Sequence, residues 1–158
     1  MKLKRILLAL LSLWFILPLA VQAAEVNSAQ AKNHGSLTVV ITGFKSDRGI
    51  ARIAMYNSQQ NFQAKDPHGL LAYQSASLTI HNHTAVWKLT NLPYGYYAIK
   101  LFQDEDKSGK LKRSLIGRPV EGVGFSQNPR LNHNPSFDET KFAINKAETE
   151  IKIKVVNF

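Results

Sequence analysis

The chain has 158 residues, a formal net charge of +9 and no cysteine. The absence of cysteine excludes disulfides, a thiol nucleophile and lipid attachment through a lipobox cysteine. The positive balance favours polyanionic partners such as envelope glycopolymers or acidic lipid, although such a surplus is also an ordinary solubility device. Because the bases are scattered along the chain, nucleic acid is not an expected partner.

Residues 1–23 predict a secretory signal peptide. Lys2, Lys4 and Arg5 precede an apolar run from Ile6 to Ala20, and small residues at alternate positions then mark a cleavage site. An uncleaved membrane anchor is the weaker alternative, because the run is shorter than the roughly 20 residues that a spanning helix needs. Cleavage at residue 23 removes the three bases, which lowers the charge from +9 to +6, and leaves a periplasmic or secreted chain of ordinary single-domain size.

The next residues, 24–35, are small and polar and predict a flexible lead-in to one domain over residues 36–158. In that domain apolar and polar residues alternate in short runs, which is the period of a half-buried β-strand. The runs cover residues 36–44, 49–57, 76–80, 85–89, 97–102, 140–144 and 150–158. The polar link between the first two runs ends at Gly49 and predicts a hairpin. The segment 81–84, His-Asn-His-Thr, predicts a tight turn, because asparagine tolerates positive φ.

About seven strands that are each apolar on one side predict an all-β domain, an antiparallel β-sandwich of two sheets. A closed barrel is the alternative architecture. Two connections are too long for hairpins. In the first, residues 58–74, we expect Phe62, Leu70 and Leu71 to anchor on the core, with room for a helical turn. The second, residues 103–138, is longer, and a long loop in a compact domain is often functional.

Two segments resemble a bacterial family. LTNLPYGYYAIKLFQDEDKSGKL at residues 89–111 and IGRPVEGVGFSQN at 116–128 are similar, in order and spacing, to blocks of the secreted proteins grouped as domain-of-unknown-function family 2141. A weaker third block is NPSFDETKFAI at 134–144. The resemblance covers about Leu37 to Val155 and implies a sandwich related to prealbumin-like and immunoglobulin-like modules, without an established activity.

The first of these blocks also predicts a tyrosine corner. The hydroxyl of Tyr97 is expected to bond back to the backbone of the turn before its strand, and Gly95 to supply a positive φ in that turn. This feature is structural and indicates no chemistry.

The acidic stretch that follows is the main candidate site. Calcium takes about six to eight oxygen ligands, and the pattern D-x-D-x-S-G-x offers carboxylates from Asp104 and Asp106, a hydroxyl from Ser108 and a backbone carbonyl from Lys110. The place of Glu121 in the second family block implies that it could join them.

Three departures from a full calcium loop weaken this prediction. Leu115 stands where an EF-hand carries its bidentate glutamate, and Lys112 stands where related loops often have an aspartate. The surrounding bases add positive potential close to the ion. We therefore predict at most a weak calcium site of millimolar to sub-millimolar affinity, and a salt-bridged or solvated turn is the alternative.

Other candidate sites are weaker. His81 and His83 could share one zinc or copper ion, but no third ligand is placed near them, so we interpret them as turn residues. No G-x-S-x-G or H-E-x-x-H motif is present. Phe125 and Ser126 follow a glycine, and we expect them to pack onto the core and to bond backbone groups.

The sequence thus predicts a non-enzymatic exported module with a binding or structural role, which could carry one calcium site on the loops of residues 104–121. The alternative is an envelope or adhesion module that binds acidic glycan, acidic lipid or another envelope protein through the basic loop 107–118. We expect no cofactor other than calcium.

Overall fold

A computed structural model of the protein describes residues 33–65 and 70–158. The predicted leader at residues 1–23 and the lead-in up to residue 32 lie outside the described residues. The compact unit runs from His34 to Phe158. Within the described residues, no helix has the length and apolar character needed to cross a bilayer.

Short strands dominate this unit. In chain order the described elements are β1 (His34–Thr42), β2 (Ile50–Tyr56), α1 (Gln59–Gln63), β3 (Gln74–Leu78), β4 (Thr84–Pro93), β5 (Gly95–Asp104), β6 (Val123–Phe125), α2 (Phe137–Thr140), β7 (Phe142–Ile144) and β8 (Glu148–Lys154). Strand β1 begins two residues before the predicted start of the domain.

The strands form two sheets, which confirms the predicted β-sandwich. One sheet has the order β4-β1-β8, and the other has the order β3-β2-β5-β6 with β7 also paired to β5. Neighbouring strands are antiparallel except for β1 and β8, which are parallel. The sheets do not close into the alternative barrel.

The predicted hairpin between the first two strands is wrong. β1 lies in the three-stranded sheet and β2 in the larger one, so the link from Gly43 to Gly49 crosses between sheets. Alternation of apolar and polar residues shows which side of a strand is buried. Two strands that pair in one sheet and two strands that face each other across a sandwich have the same alternation, so the sequence does not distinguish them. The seven residues of this link are long enough to span the roughly 10 Å between packed sheets.

The predicted turn at residues 81–84 is confirmed, and it also crosses between the sheets. Asn82 and His83 have positive φ, at 51° and 59°. The carboxylate of Asp47, in the other crossing link, accepts both of their backbone N–H groups at 2.9 and 2.7 Å. These bonds lower the pKa of Asp47. His83 Nδ1 lies 2.7 Å from the carbonyl oxygen of Phe44, which supports its interpretation as a turn residue.

The core fills the space between the sheets, and a smaller cluster lies under the two helices. The main cluster includes Leu37, Val39, Ile41, Ile53, Met55, Trp87, Ile99, Leu101, Ile144 and Ile153. The smaller one contains Phe62, packed edge-on against Tyr56 and Phe137. Phe62 is therefore the core anchor that we expected in the first long connection. Leu70 and Leu71 are exposed, at 83% and 44%, so the prediction that they anchor on the core is wrong.

The tyrosine corner is present at the passage from β4 to β5. The hydroxyl of Tyr97 donates to the carbonyl of Pro93 at 2.8 Å. The predicted positive φ at Gly95 is wrong, because Gly95 is already part of β5 and the positive φ belongs to Asn91, at 57°. The corner fixes where β5 begins, and β5 carries the candidate site at its other end.

Candidate metal centre

The candidate site begins where β5 ends. Its last two residues, Gln103 and Asp104, have fully buried side chains at a rim of the larger sheet. The amide of Gln103 donates to the carbonyls of Ser46 and Arg48 at 2.9 and 3.0 Å, which holds the link between β1 and β2 against this rim. Gly49 completes the contact. It has φ +81°, and a Cβ there would lie 2.1 Å from the carbonyl oxygen of Asp104.

Asp104 shapes the acidic loop by accepting hydrogen bonds on both oxygens. Oδ1 accepts the backbone N–H of Ser108 and Oδ2 that of Gly109, each at 2.9 Å. Oδ2 also accepts from Nε of Arg52 at 2.5 Å. Arg52 projects from β2, the strand paired with β5. A buried carboxylate with these partners fixes the loop in one conformation.

Glu121 closes the loop from the far side of the long connection. Its side chain is 3% exposed. Oε1 accepts the N–H of Glu105 at 3.1 Å, and Oε2 accepts the N–H of Lys112 at 2.9 Å. The carboxylate therefore ties together two backbone segments that are separated in sequence, and it brings the predicted ligand next to the acidic loop.

Asp106 is the exposed member of the group and is paired with a lysine. Its Oδ2 lies 2.8 Å from Nζ of Lys112, and its Oδ1 accepts the N–H of Ser108 at 3.3 Å. The hydrogen bond from Lys112 is the main reason that the pKa of Asp106 falls to about 2. The ammonium group thus takes a position where it competes with a metal cation for Asp106.

The three carboxylates meet closely enough to share one ion. One oxygen from each of Asp104, Asp106 and Glu121 lies within 4.8 Å of the others. Calcium–oxygen distances of 2.3–2.6 Å place ligands on opposite sides of the ion about 4.6–5.2 Å apart. The spacing is therefore compatible with a hard cation held between the three groups.

The remaining predicted ligands lie in the same hydrogen-bonded loop. The Oγ of Ser108 is 3.4 Å from Oδ1 of Asp104 and 3.2 Å from the carbonyl oxygen of Lys110. Leu115, at the place of the missing glutamate, is fully exposed instead. Within residues 33–65 and 70–158, no second group of three His, Asp or Glu side chains gathers in this way. Neither His81 nor His83 belongs to such a group.

Sequence reasoning missed Arg52 as part of this site. It lies on the outward side of β2 and is paired with Phe102 of β5. Asp104 lies two residues after Phe102 on β5. Its side chain is about one third exposed and contacts Asp104 only because β2 and β5 pair in this register. An isolated arginine in an alternating strand carries no signal of that contact until the pairing is known.

Ser126 and Phe125 behave as expected. The Oγ of Ser126 accepts the N–H of Ile99 at 2.9 Å and donates to the carbonyl of Thr140 at 2.5 Å. Phe125 packs against the cluster around Phe62. Both residues are thus explained by structure.

Fold and site together define a β-sandwich with an acidic, loop-held cluster at the rim of its larger sheet. The chain belongs to the family described as uncharacterized protein conserved in bacteria (DUF2141), whose model matches residues 39–152. The match confirms the resemblance seen in the two sequence blocks, and it includes every acidic residue of the cluster. No curated protein and no solved structure is significantly similar to the chain.

Proposed function

We propose that the protein is an exported, non-enzymatic binding module whose acidic cluster binds one calcium ion weakly. The observation that supports this function best is the convergence of Asp104, Asp106 and Glu121 on one point of a loop whose backbone is already fixed. The leader-like residues 1–23 support export.

Two features of the cluster set the affinity. Both oxygens of Glu121 and Oδ1 of Asp104 each accept one backbone N–H and keep a second lone pair for an ion. Oδ2 of Asp104 already accepts from both Gly109 and Arg52. The ion must, however, displace Nζ of Lys112 from Asp106 and tolerate Arg52 beside Asp104. The preformed loop favours binding and the two cations oppose it, so an affinity in the millimolar to sub-millimolar range is expected.

Thermal melting tests this proposal. The chain from residue 24 onward, which is the form that leader cleavage would leave, is melted in chelator and then in rising calcium. An ion that binds only the native state at ten times its Kd adds about 1.4 kcal/mol of stability, which raises Tm by several degrees for a domain of this size.

The Asp106→Asn variant should lose this shift, because it removes an exposed ligand. Asp138→Asn is the matched control, because Asp138 is an exposed aspartate outside the cluster and pairs with a lysine of its own, Lys141, at 2.6 Å. No shift at about ten millimolar calcium in the unmodified chain, or equal shifts in both variants, would refute the calcium site.

The exposed bases of the long loop support a second candidate function, the binding of acidic glycan or lipid. Five bases and no acid occur between residues 107 and 120, and all five are exposed: Lys107, Lys110, Lys112, Arg113 and Arg118. This function predicts salt-sensitive retention on an acidic surface. Retention that is unchanged when Lys107, Lys110 and Arg118 are replaced by serine would exclude it.

A further inference from the structure

The second half of the basic loop forms an ordered hairpin that extends two residues beyond it, residues 112–120, which we call the 112–120 hairpin. Three backbone bonds build it: Val120 N–H to the carbonyl of Lys112 at 3.1 Å, Ser114 N–H to Arg118 at 2.8 Å, and Gly117 N–H to Ser114 at 2.9 Å. Its two arms also pair through an isolated bridge between Arg113 and Pro119. The tip is thus a turn of fixed shape.

Two large aliphatic residues occupy this tip. Leu115 and Ile116 are the central residues of the turn, and they are 108% and 78% exposed. Central turn positions usually carry small or polar residues that are compatible with water. A single exposed leucine needs no explanation, but an adjacent aliphatic pair held outward by a hydrogen-bonded turn indicates a contact with an apolar phase.

Basic side chains surround the aliphatic tip. Arg113 and Arg118 flank the aliphatic pair on the two arms, and Lys110 precedes the hairpin. The side chain of Arg113 also donates to the carbonyl of Gly117 at 2.9 Å, which keeps its guanidinium beside the tip. An apolar point with a basic surround is complementary to an anionic bilayer, whose phosphates lie above its acyl chains.

We propose that the 112–120 hairpin docks the protein on anionic lipid, with Leu115 and Ile116 in the boundary between headgroups and acyl chains and the neighbouring bases on the phosphates. This proposal rests on the second candidate function, the binding of acidic glycan or lipid, and names lipid as the ligand. A glycan offers no apolar phase to the aliphatic pair. A stable protein interface buries about 800 Å² on each partner, far more than a two-residue convex tip provides.

Binding to vesicles tests the proposal with the chain from residue 24 onward. Vesicles of phosphatidylcholine and phosphatidylglycerol in equal parts are compared with vesicles of phosphatidylcholine alone, by co-sedimentation at low and at high salt. We expect binding to the anionic vesicles only, weakened by salt. The Leu115→Ser, Ile116→Ser double variant should bind roughly 10- to 100-fold less, and Lys110→Ser or Arg118→Ser about five-fold less each.

A control and a direct reporter complete the design. Val86→Ser removes an exposed aliphatic side chain from β4 of the other sheet and should leave vesicle binding unchanged. Ile116→Trp places an indole at the tip, and its emission should shift to the blue on anionic vesicles, whereas Trp87 is already buried in the core.

The outcomes separate this proposal from the one on which it rests. No binding to anionic vesicles, or unchanged binding of the double serine variant, would overturn insertion of the tip. If the lysine and arginine variants still lowered retention on an acidic polysaccharide, the basic loop would keep its function with a glycan ligand and only the lipid proposal would fail. Self-association through the tip in lipid-free solution, abolished by the double variant, would also overturn it.

Discussion

Removing the side chain of Glu121 should destabilise the protein even when no metal is available. The Glu121→Ala variant deletes the acceptor of two backbone N–H groups, those of Glu105 and Lys112, at 3.1 and 2.9 Å. A hydrogen bond to a charged group contributes about 1.5–3 kcal/mol when it is buried. Because the freed N–H of Lys112 can reach water in this exposed stretch, we expect the lower end for each bond, about 1.5 kcal/mol, and a total loss of about 3 kcal/mol.

Urea unfolding in the presence of chelator measures this loss. The midpoint should fall while the m value stays constant, because the variant changes stability and not the surface exposed on unfolding. Amide exchange at Glu105 and Lys112 should quicken at the same time. Glu150→Ala, at an exposed position on β8, is the control and should stay within about 0.5 kcal/mol of the unmodified protein. A Glu121→Ala variant as stable as this control would show that the two bonds do not hold the loop.

Three further predictions concern other contacts of the described residues. Lys112→Gln should raise calcium affinity several-fold in calorimetry, because the ammonium that competes for Asp106 is removed; unchanged affinity would mean that the ion does not bind there. Lowering the pH should remove the stabilising contribution of Asp106, whose folded pKa of about 2 lies below its ordinary value of 3.8. The contribution is complete above about pH 4 and is lost as the pH falls towards 2. Asp106→Asn should therefore flatten the plot of urea midpoint against pH in that range. Tyr97→Phe should cost about 1 kcal/mol in unfolding measurements by deleting the bond to Pro93, and a cost near zero would show that the tyrosine corner adds no stability.

The sequence predicted the fold class because buried and more exposed residues alternate along β1, along most of β2 and in the first half of β4. β1, β5 and β8 each place apolar residues inward, and the number of such faces requires a second sheet. The sequence did not predict which strands pair, because the pattern that buries β1 and β2 is the same whether they lie side by side or face to face. The hairpin between them was predicted wrongly for this reason, and the parallel pairing of β1 with β8 gave no local signal at all.

The site shows the same division between local and distant contacts. Asp104, Asp106, Ser108 and Lys110 lie within one turn of chain, so their arrangement follows from a short pattern that can be recognised in the sequence. Glu121 was reached through the family resemblance, and Arg52 was missed, because both meet the loop only through long-range contacts. The exposed bases were recognised, but their hairpin and its aliphatic tip were not, since the apolar pair Leu115 and Ile116 resembles core sequence until its exposure is known.

Lys112 connects the two candidate functions. Its N–H is bound by Glu121, its ammonium group pairs with Asp106, and its carbonyl begins the 112–120 hairpin. An ion in the cluster would release that ammonium towards the other bases of the loop, so by linkage calcium and anionic lipid should each favour the binding of the other. A change at Lys112 therefore alters both sites at once, since it frees Asp106 and also removes a base from the loop. The side chains of Lys110 and Arg118 lack this double role in the described contacts, although the backbone carbonyl of Lys110 accepts from Ser108 in the acidic loop. Changes to these two side chains, and not to that of Lys112, therefore provide the interpretable test of lipid binding.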